Sequence, residues 1–291
     1  MPHTAPVLSL RHRAEDLAAG ALIAGLLRLP YARRVPAMGR IARRVVAPLA
    51  GYPKRIRWNL NHVFPDLPAA EVARLVRAVP DNLGRALIEQ FSGAEFAEHA
   101  AIMPIQGPGL DAIAEARRAG RPVIVVTGHV GNHLAGLSAL RGQGIVAGGL
   151  YMPMTNPAFN RRYVASLSHF LQPAFPRGRE GLGAMLRHLR AGGVLGVLFD
   201  QDMAHGTPID FLGRPARTAL SPAELALRHD ALLVPGYSLR QPDGLSFVTT
   251  MEAPVPHTDP LQMMQALNAS LGAVVRANMD QWLWTHRRWK I

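Results

Sequence analysis

The chain has no cysteine among its 291 residues. That excludes a disulfide framework, a thiolate metal site and a cysteine nucleophile. Lysine is almost missing too: of 32 basic residues, all but two (Lys54 and Lys290) are arginines. GC-rich codon usage and the fit of the guanidinium fork to phosphate both produce such a bias. Aromatic residues make up only 6% and form no stacking platform. With no recognised binding motif beside them, nucleic acid is not an expected partner. The apolar run at 17–27 stops at Arg28 and is too short to span a bilayer of ~30 Å. It also lacks the layout of a signal peptide, because no small-x-small cleavage site follows Arg11, Arg13, Glu15 and Asp16. Internal repeats and low-complexity segments are absent.

What is present points to a large folded core and an anionic partner. Apolar side chains are 48% of the chain, enough for one large domain with a helical N-terminal elaboration. The net charge of +12 suits lipid headgroups or acidic small molecules. Arg28, Arg33, Arg34, Arg40, Arg43 and Arg44 are interleaved with Leu29, Val35, Met38, Ile41, Val45 and Val46. This is the pattern of a helix lying on an anionic membrane surface, although a core-packed helix with a solvated basic face has the same pattern.

Apolar residues at helical spacing mark 55–63, 69–79 and 82–91, and no clear strand falls in the first hundred residues. From Gly107 onward helical runs such as 110–118 alternate with β-rich runs at 123–126, 145–150, 194–199, 232–239 and 245–251. The expected fold is therefore α/β: a single domain with a mixed central sheet flanked by helices and a helical N-terminal region. Residues 1–100 are assigned to the N-terminal, membrane-associating region and 101–291 to the α/β core.

The chemistry-bearing residues gather at strand ends, where loops assemble sites. The strand at 123–126 leads through Gly128 to His129, a position suited to a general base. Gly131 and Asn132 then open a helix whose N–H groups are expected to bind an oxyanion or phosphate. The strand at 194–199 exits into Asp200, Gln201 and Asp202. A turn at 211–218 leads into an amphipathic helix at about 219–228. A strand-end histidine that deprotonates hydroxyls needs a nearby acid to orient its ring, and Leu134 does not supply one.

The order of these blocks resembles the late acyltransferases of lipid A biosynthesis, the lauroyl and myristoyl transferases within the lysophospholipid acyltransferase group. The resemblance runs from Asn59-Leu60 and Phe64-Pro65 through Gly128-His129 and Tyr151-Met152-Pro153 with Asn156-Pro157 to Arg179 with 186–192. It continues through Asp200-Gln201-Asp202, 211–218 and Leu233-Val234-Pro235 to the tail at 282–290. It implies a glycerolipid-acyltransferase-like core and transfer of an acyl chain from acyl carrier protein, or acyl-CoA, to a hydroxyl of a phosphorylated membrane glycolipid such as a lipid A precursor. His129 matches the family's base, with no metal or organic cofactor required. The resemblance assigns substrate-binding roles to Gly131, Asn132, Asn156, Arg162, Arg179 and Arg214. It also implies the cytoplasmic face of a bacterial inner membrane, with peripheral or N-terminal attachment to that anionic surface.

Two positions depart from the family pattern. Its motif is a histidine, four residues, then an acid; here the acid's place is Leu134. The arginine of its tyrosine-arginine-proline element is Met152, which removes an anion contact. Asp200 or Asp202 reaching His129 across adjacent strand ends, or His133 as a polar partner, would replace the missing acid. If none does, the chain is a catalytically impaired relative that binds lipid. Glu89 matches a family position and reads as an ion-pair member, and His286 as a satisfied buried histidine. Trp282, Trp284 and Trp289 read as a membrane-interface belt or as packing of the terminal segment, and Met263 and Met264 as tunnel lining or ordinary core.

Overall fold

The computed structural model describes residues 9–290. Helices come first: α1 (Leu10–Leu27), α2 (Tyr31–Ile41), a π-helical turn (Ala42–Val46), α3 (Ala47–Leu49), α4 (Tyr52–Val63), α5 (Ala69–Phe91) and α6 (Ala94–Ala101). Then follow β1 (Ile105–Gln106), α7 (Pro108–Arg118), β2 (Val123–Thr127), α8 (His133–Gly142), β3 (Ala147–Tyr151), α9 (Pro157–Leu167), β4 (Ala174–Pro176), α10 (Arg179–Arg190) and β5 (Val194–Leu198). The chain finishes with β6 (Thr207–Phe211), β7 (Arg214–Thr218), α11 (Ser221–Arg228), β8 (Leu232–Arg240), β9 (Phe247–Met251), α12 (Pro260–Ala277) and a 3-10 turn (Met279–Gln281).

Seven strands form one sheet in the order β1-β9-β8-β2-β5-β3-β4, and β6 and β7 form a separate hairpin. Every pairing in the large sheet is parallel except β8 with β9. β2 lies at the centre and reads as continuous apolar sequence because both of its faces are covered. Val123 and Val125 pack beneath α6, α7 and α8, whereas Ile124 and Val126 pack with residues of α10, α11 and α12. This is the single α/β domain expected.

Three differences have local causes. The helices expected at 69–79 and 82–91 are one helix, α5, which passes through Pro80. A proline inside a helix removes one donor, and here the buried Pro80 and its neighbours Val79 and Asn82 are held by packing on both sides of it. The stretch at 211–218 does lead into the expected helix, α11, but it is the second half of a hairpin and not a simple turn, with Phe211 opposite Arg214 and Thr207 opposite Thr218. Pro208 and Pro215 conceal it from a pattern search, since proline usually argues against strand. β1 and β4 are too short to leave any period in the sequence.

The basic segment near the N-terminus is packed on the core and keeps a basic outer face. Val35 and Met38 are buried and α2 packs against α5, while Arg28, Arg33, Arg40 and Arg44 face outward. Arg34 does not belong to the outer face: it is buried and bonds Glu95, Ser92 and the Leu29 carbonyl. Trp282, Trp284 and Trp289 are likewise buried in the core with Phe211, so they are packing residues and not an interface belt. Met263 and Met264 are ordinary core on α12.

Candidate active site

Parallel register brings the central pair together. Thr127 of β2 lies opposite Leu198 of β5. Two residues beyond each, His129 and Asp200 leave adjacent strands at the same edge of the sheet. The His129 Nδ1 lies 2.7 Å from Asp200 Oδ1, and the His129 backbone N–H donates to Oδ2 at 2.7 Å. The indole N–H of Trp282 donates to the same Oδ2 at 2.9 Å. All of the carboxylate's partners are therefore fixed donors, two from one residue and one from a tryptophan packed into the core.

The electrostatics follow from this geometry. Burial alone would raise the Asp200 pKa, but the charge of the His129 ring and the hydrogen bonds from His129 and Trp282 outweigh it, holding the carboxyl well below the usual range. For His129, burial acts downward and the charge and hydrogen bond of Asp200 act upward; the second pair prevails, and the pKa lies above the ordinary histidine value. His133, 5.7 Å from His129 between ring centroids, has no such partner. Burial and the like charge of His129 push it down to about 3, which keeps it neutral. An ionised carboxylate only accepts, so His129 carries its proton on Nδ1 and presents the lone pair of Nε2. An imidazole held this way can take a proton from a hydroxyl.

His129 and His133 line a cavity of about 460 Å³ between α8 and the sheet. Its wall is apolar: Leu134, Leu137 and Leu140 from α8, Leu167, Leu171 and Met251. The space exists because the facing strands carry Gly149, Gly196 and Gly236; a Cβ on Gly196 would sit 3.0 Å from Leu137 Cδ2. Half-exposed Met152 and the exposed Gln201, Met203 and Arg177 line the same cavity. The volume falls within the range of small-molecule sites, about 300–1,000 Å³.

The other expected site residues are scattered, and several are already occupied. Gly131 and Asn132 are not open to an oxyanion. The Gly131 N–H donates to the Gln281 carbonyl and the Asn132 N–H to the Ser238 carbonyl, both at 3.0 Å. Gly131 has φ +59, and a Cβ there would lie 1.9 Å from Ser238 O, so the residue is required by the turn. The helix begins only at His133, with the Asn132 side chain capping it through the Leu134 N–H. Asp202 lies away from His129: it pairs with Arg217 at 3.0 Å, and its N–H donates to His286 Nε2 at 2.9 Å. Asn156 caps α9 and donates to the His12 carbonyl at 2.8 Å. Arg162 pairs with Asp16 at 2.8 Å, and Arg214 donates to the His62 carbonyl at 2.9 Å. Arg179 is exposed at the start of α10 and does not line the cavity.

Glu89 is fully buried and is an ion-pair member as expected. The Arg240 guanidinium spans its two oxygens at 2.5 and 2.8 Å, and the Asn132 amide donates to it at 2.7 Å. Arg240 also donates to Asn82 at 2.8 Å. Two residues of the site escaped sequence reading. A buried indole needs an acceptor, so Trp282 carried a signal that a polar partner existed, though not which one. Arg177 follows the very short β4, and Tyr151 pairs with Pro176 there, so Met152 and Arg177 leave neighbouring strands together. Among the described residues no three His, Asp or Glu side chains are grouped to hold a metal ion.

Comparison with known proteins bears on the family. Residues 2–291 match the family described as bacterial lipid A biosynthesis acyltransferase. Two curated relatives are phosphatidylinositol mannoside acyltransferases of Mycobacterium tuberculosis, from strains CDC 1551 / Oshkosh and ATCC 25618 / H37Rv. Each is 24% identical over 245 residues, covering 82% of this chain and 78% of the relative.

Proposed function

The chain belongs to the bacterial lipid A biosynthesis acyltransferase family and is an acyltransferase, and from that premise we propose that it transfers a fatty acyl chain from a thioester donor to a hydroxyl of a membrane glycolipid, with His129 as general base and Asp200 as its orienting acid. One observation carries this reading: a buried, ionised carboxylate on His129 Nδ1 at 2.7 Å, supplied by β5 instead of α8. The acid that Leu134 does not provide has a replacement from the neighbouring strand. The impaired-relative reading needs a His129 without such a partner, and the pairing favours the active one.

In the proposed reaction Nε2 of His129 takes the acceptor's hydroxyl proton as its oxygen attacks the thioester carbonyl. The imidazolium is stabilised by Asp200. The tetrahedral intermediate then expels the thiolate, which receives the same proton from Nε2. The apolar cavity beneath α8 holds the acyl chain. Acyl carrier protein and acyl-CoA both present a phosphate-bearing arm, and Arg177 supplies at the cavity the anion contact that Met152 lacks. The phosphatidylinositol mannoside named for the relatives supports a phosphorylated glycolipid acceptor, and a lipid A precursor fits the same description.

Attachment is peripheral, on the cytoplasmic face of the inner membrane, through the helical region of residues 1–100. No helix among the described residues is long and apolar enough to cross a membrane. Outward arginines and exposed Leu17, Leu22, Leu27 and Leu29 support a surface contact. The test is transfer from radiolabelled acyl carrier protein to a panel of extracted lipids. His129→Ala is expected to lower kcat by about 10²–10⁴-fold, the usual contribution of a general base; a variant as active as the parent would remove His129 from the chemistry.

A further inference from the structure

A second concavity lies behind the His129 loop, outside the reaction cavity. It has a volume of about 710 Å³ and is formed by the π-turn after α2, the outer face of α5 and the segments at 239–242 and 278–281. Five arginines line it, Arg43, Arg74, Arg77, Arg85 and Arg240, against two carboxylates, Asp81 and Asp280. Three of the arginines are committed. Arg240 is spent on Glu89, Arg85 on Asp81 at 2.5 Å, and Arg74 on Glu71 at 2.8 Å with Asp280 at 3.9 Å. Arg43 and Arg77 have no carboxylate partner among the described residues, and they come from the two helical elements that meet at the cleft.

The placement of Arg43 indicates the kind of anion. It sits in a π-helical turn, a form that is rare and frequent at functional sites. Just beyond it the chain exposes Val45, Val46 and Leu49, the last at 85%, followed by Trp58 at 51%. Exposed Arg44, Lys54 and Arg57 flank these apolar residues. A basic cleft whose Arg43 is followed closely in the chain by exposed apolar residues has the chemistry of a lipid headgroup with its acyl chains. Its floor is shared with the reaction loop: the Asn82 amide donates to the carbonyls of Gly131 and Gln281, both at 3.4 Å.

We propose that this cleft binds the phosphate of an anionic phospholipid headgroup through Arg43 and Arg77, at a site separate from the reaction cavity. The site goes beyond the acyl-transfer reading and does not depend on it.

The test is calorimetric titration of the 291-residue chain with dihexanoyl phosphatidylglycerol below its micelle concentration. Dihexanoyl phosphatidylcholine and inorganic phosphate serve as second and third probes. Saturable binding of the anionic lipid is expected, weakened about tenfold by Arg43→Gln and again by Arg77→Gln, the scale of one charge-assisted hydrogen bond each. Arg118→Gln and Arg190→Gln, exposed on α7 and α10 outside the cleft, are expected to stay within about twofold of the parent. All four are surface changes, and thermal unfolding checks that each remains folded. Equal losses in all four variants would reduce the effect to general surface charge and overturn the site. Absence of saturable lipid binding would overturn it too, as would inorganic phosphate binding as tightly as the lipid. Unchanged lipid affinity in Arg43→Gln and Arg77→Gln, with loss of acyl carrier protein binding instead, would replace the lipid with a protein partner.

Discussion

Replacing Asp200 by asparagine tests the candidate site most directly, because the outcome follows from counting hydrogens. The native carboxylate accepts from three donors: the His129 N–H and Trp282 indole at Oδ2, and the His129 ring at Oδ1. An asparagine has one acceptor oxygen and one donor group. The oxygen belongs where two fixed N–H groups already point, so the amide NH₂ faces His129 Nδ1. That nitrogen then accepts, its proton moves to Nε2, and the lone pair needed for the acceptor hydroxyl is lost. A wrong tautomer of this kind costs about 10⁴ in kcat in the serine protease case, or about 5.5 kcal/mol of barrier. The pH profile changes as well. A general base must be neutral, so with His129 in that role native activity is expected to fall as pH drops through a His129 pKa raised above 6.5. Without the Asp200 charge, burial acts alone and the acid limb moves to lower pH. The assay is single-turnover acyl transfer across pH 5–9, beside a thermal melt showing that the variant is folded. Activity within tenfold of the parent, or an acid limb that does not move, would refute Asp200 as the orienting acid.

Trp282→Phe keeps an aromatic ring in the core and removes the N–H to Asp200; a hydrogen bond to a charged acceptor is worth about 1.5–3 kcal/mol, so steady-state kinetics should show kcat down tenfold or more with KM little changed. Leu134→Glu restores the family's acid yet is expected to lower both activity and melting temperature. Leu134 is 3% exposed, and exchanging a buried leucine for a carboxylate without a partner costs about 2–5 kcal/mol; a gain in transfer would instead show that Asp200 leaves the role unfilled. Gly196→Val pushes side-chain carbons towards Leu137 across the cavity. Each methylene that loses its place costs about 0.8 kcal/mol, so competition between donors differing by two carbons should move about tenfold towards the shorter chain.

The parts legible in the sequence are those whose cause is local. β2, β5 and β8 could be read because strands buried on both faces are runs of Val, Ile and Leu, and His129 stood out at the end of one of them. The family blocks supplied the order. What the sequence hid was pairing. Asp200 and Asp202 are two apart, and only the register of β5 against β2 decides that the first meets His129 while the second turns to Arg217. The availability of an N–H is a question of pairing too: Gly131 and Asn132 look like an open helix start until Gln281 and Ser238, distant in sequence, are brought against them. Arg177 and the hairpin were missed for a third reason, since strands of three residues, or strands interrupted by proline, have no period to detect.

The buried contact of Glu89 with Arg240 and Asn132 bears on how the protein can be rearranged. Glu89 comes from the helical first third of the chain, Arg240 from the end of β8, and Asn132 from the loop that carries His129. A chimera joined at residue 100, with its leading segment taken from a relative, exchanges one corner of this triangle and leaves the other two in place. Unless the donor segment brings an acid at the equivalent turn of α5, a guanidinium is left buried without its counter-charge and the loop beside the histidine loses an anchor. Through Glu89 the leading helices are thus tied to the loop of His129, and exchanging them as a cassette requires the three positions to travel together.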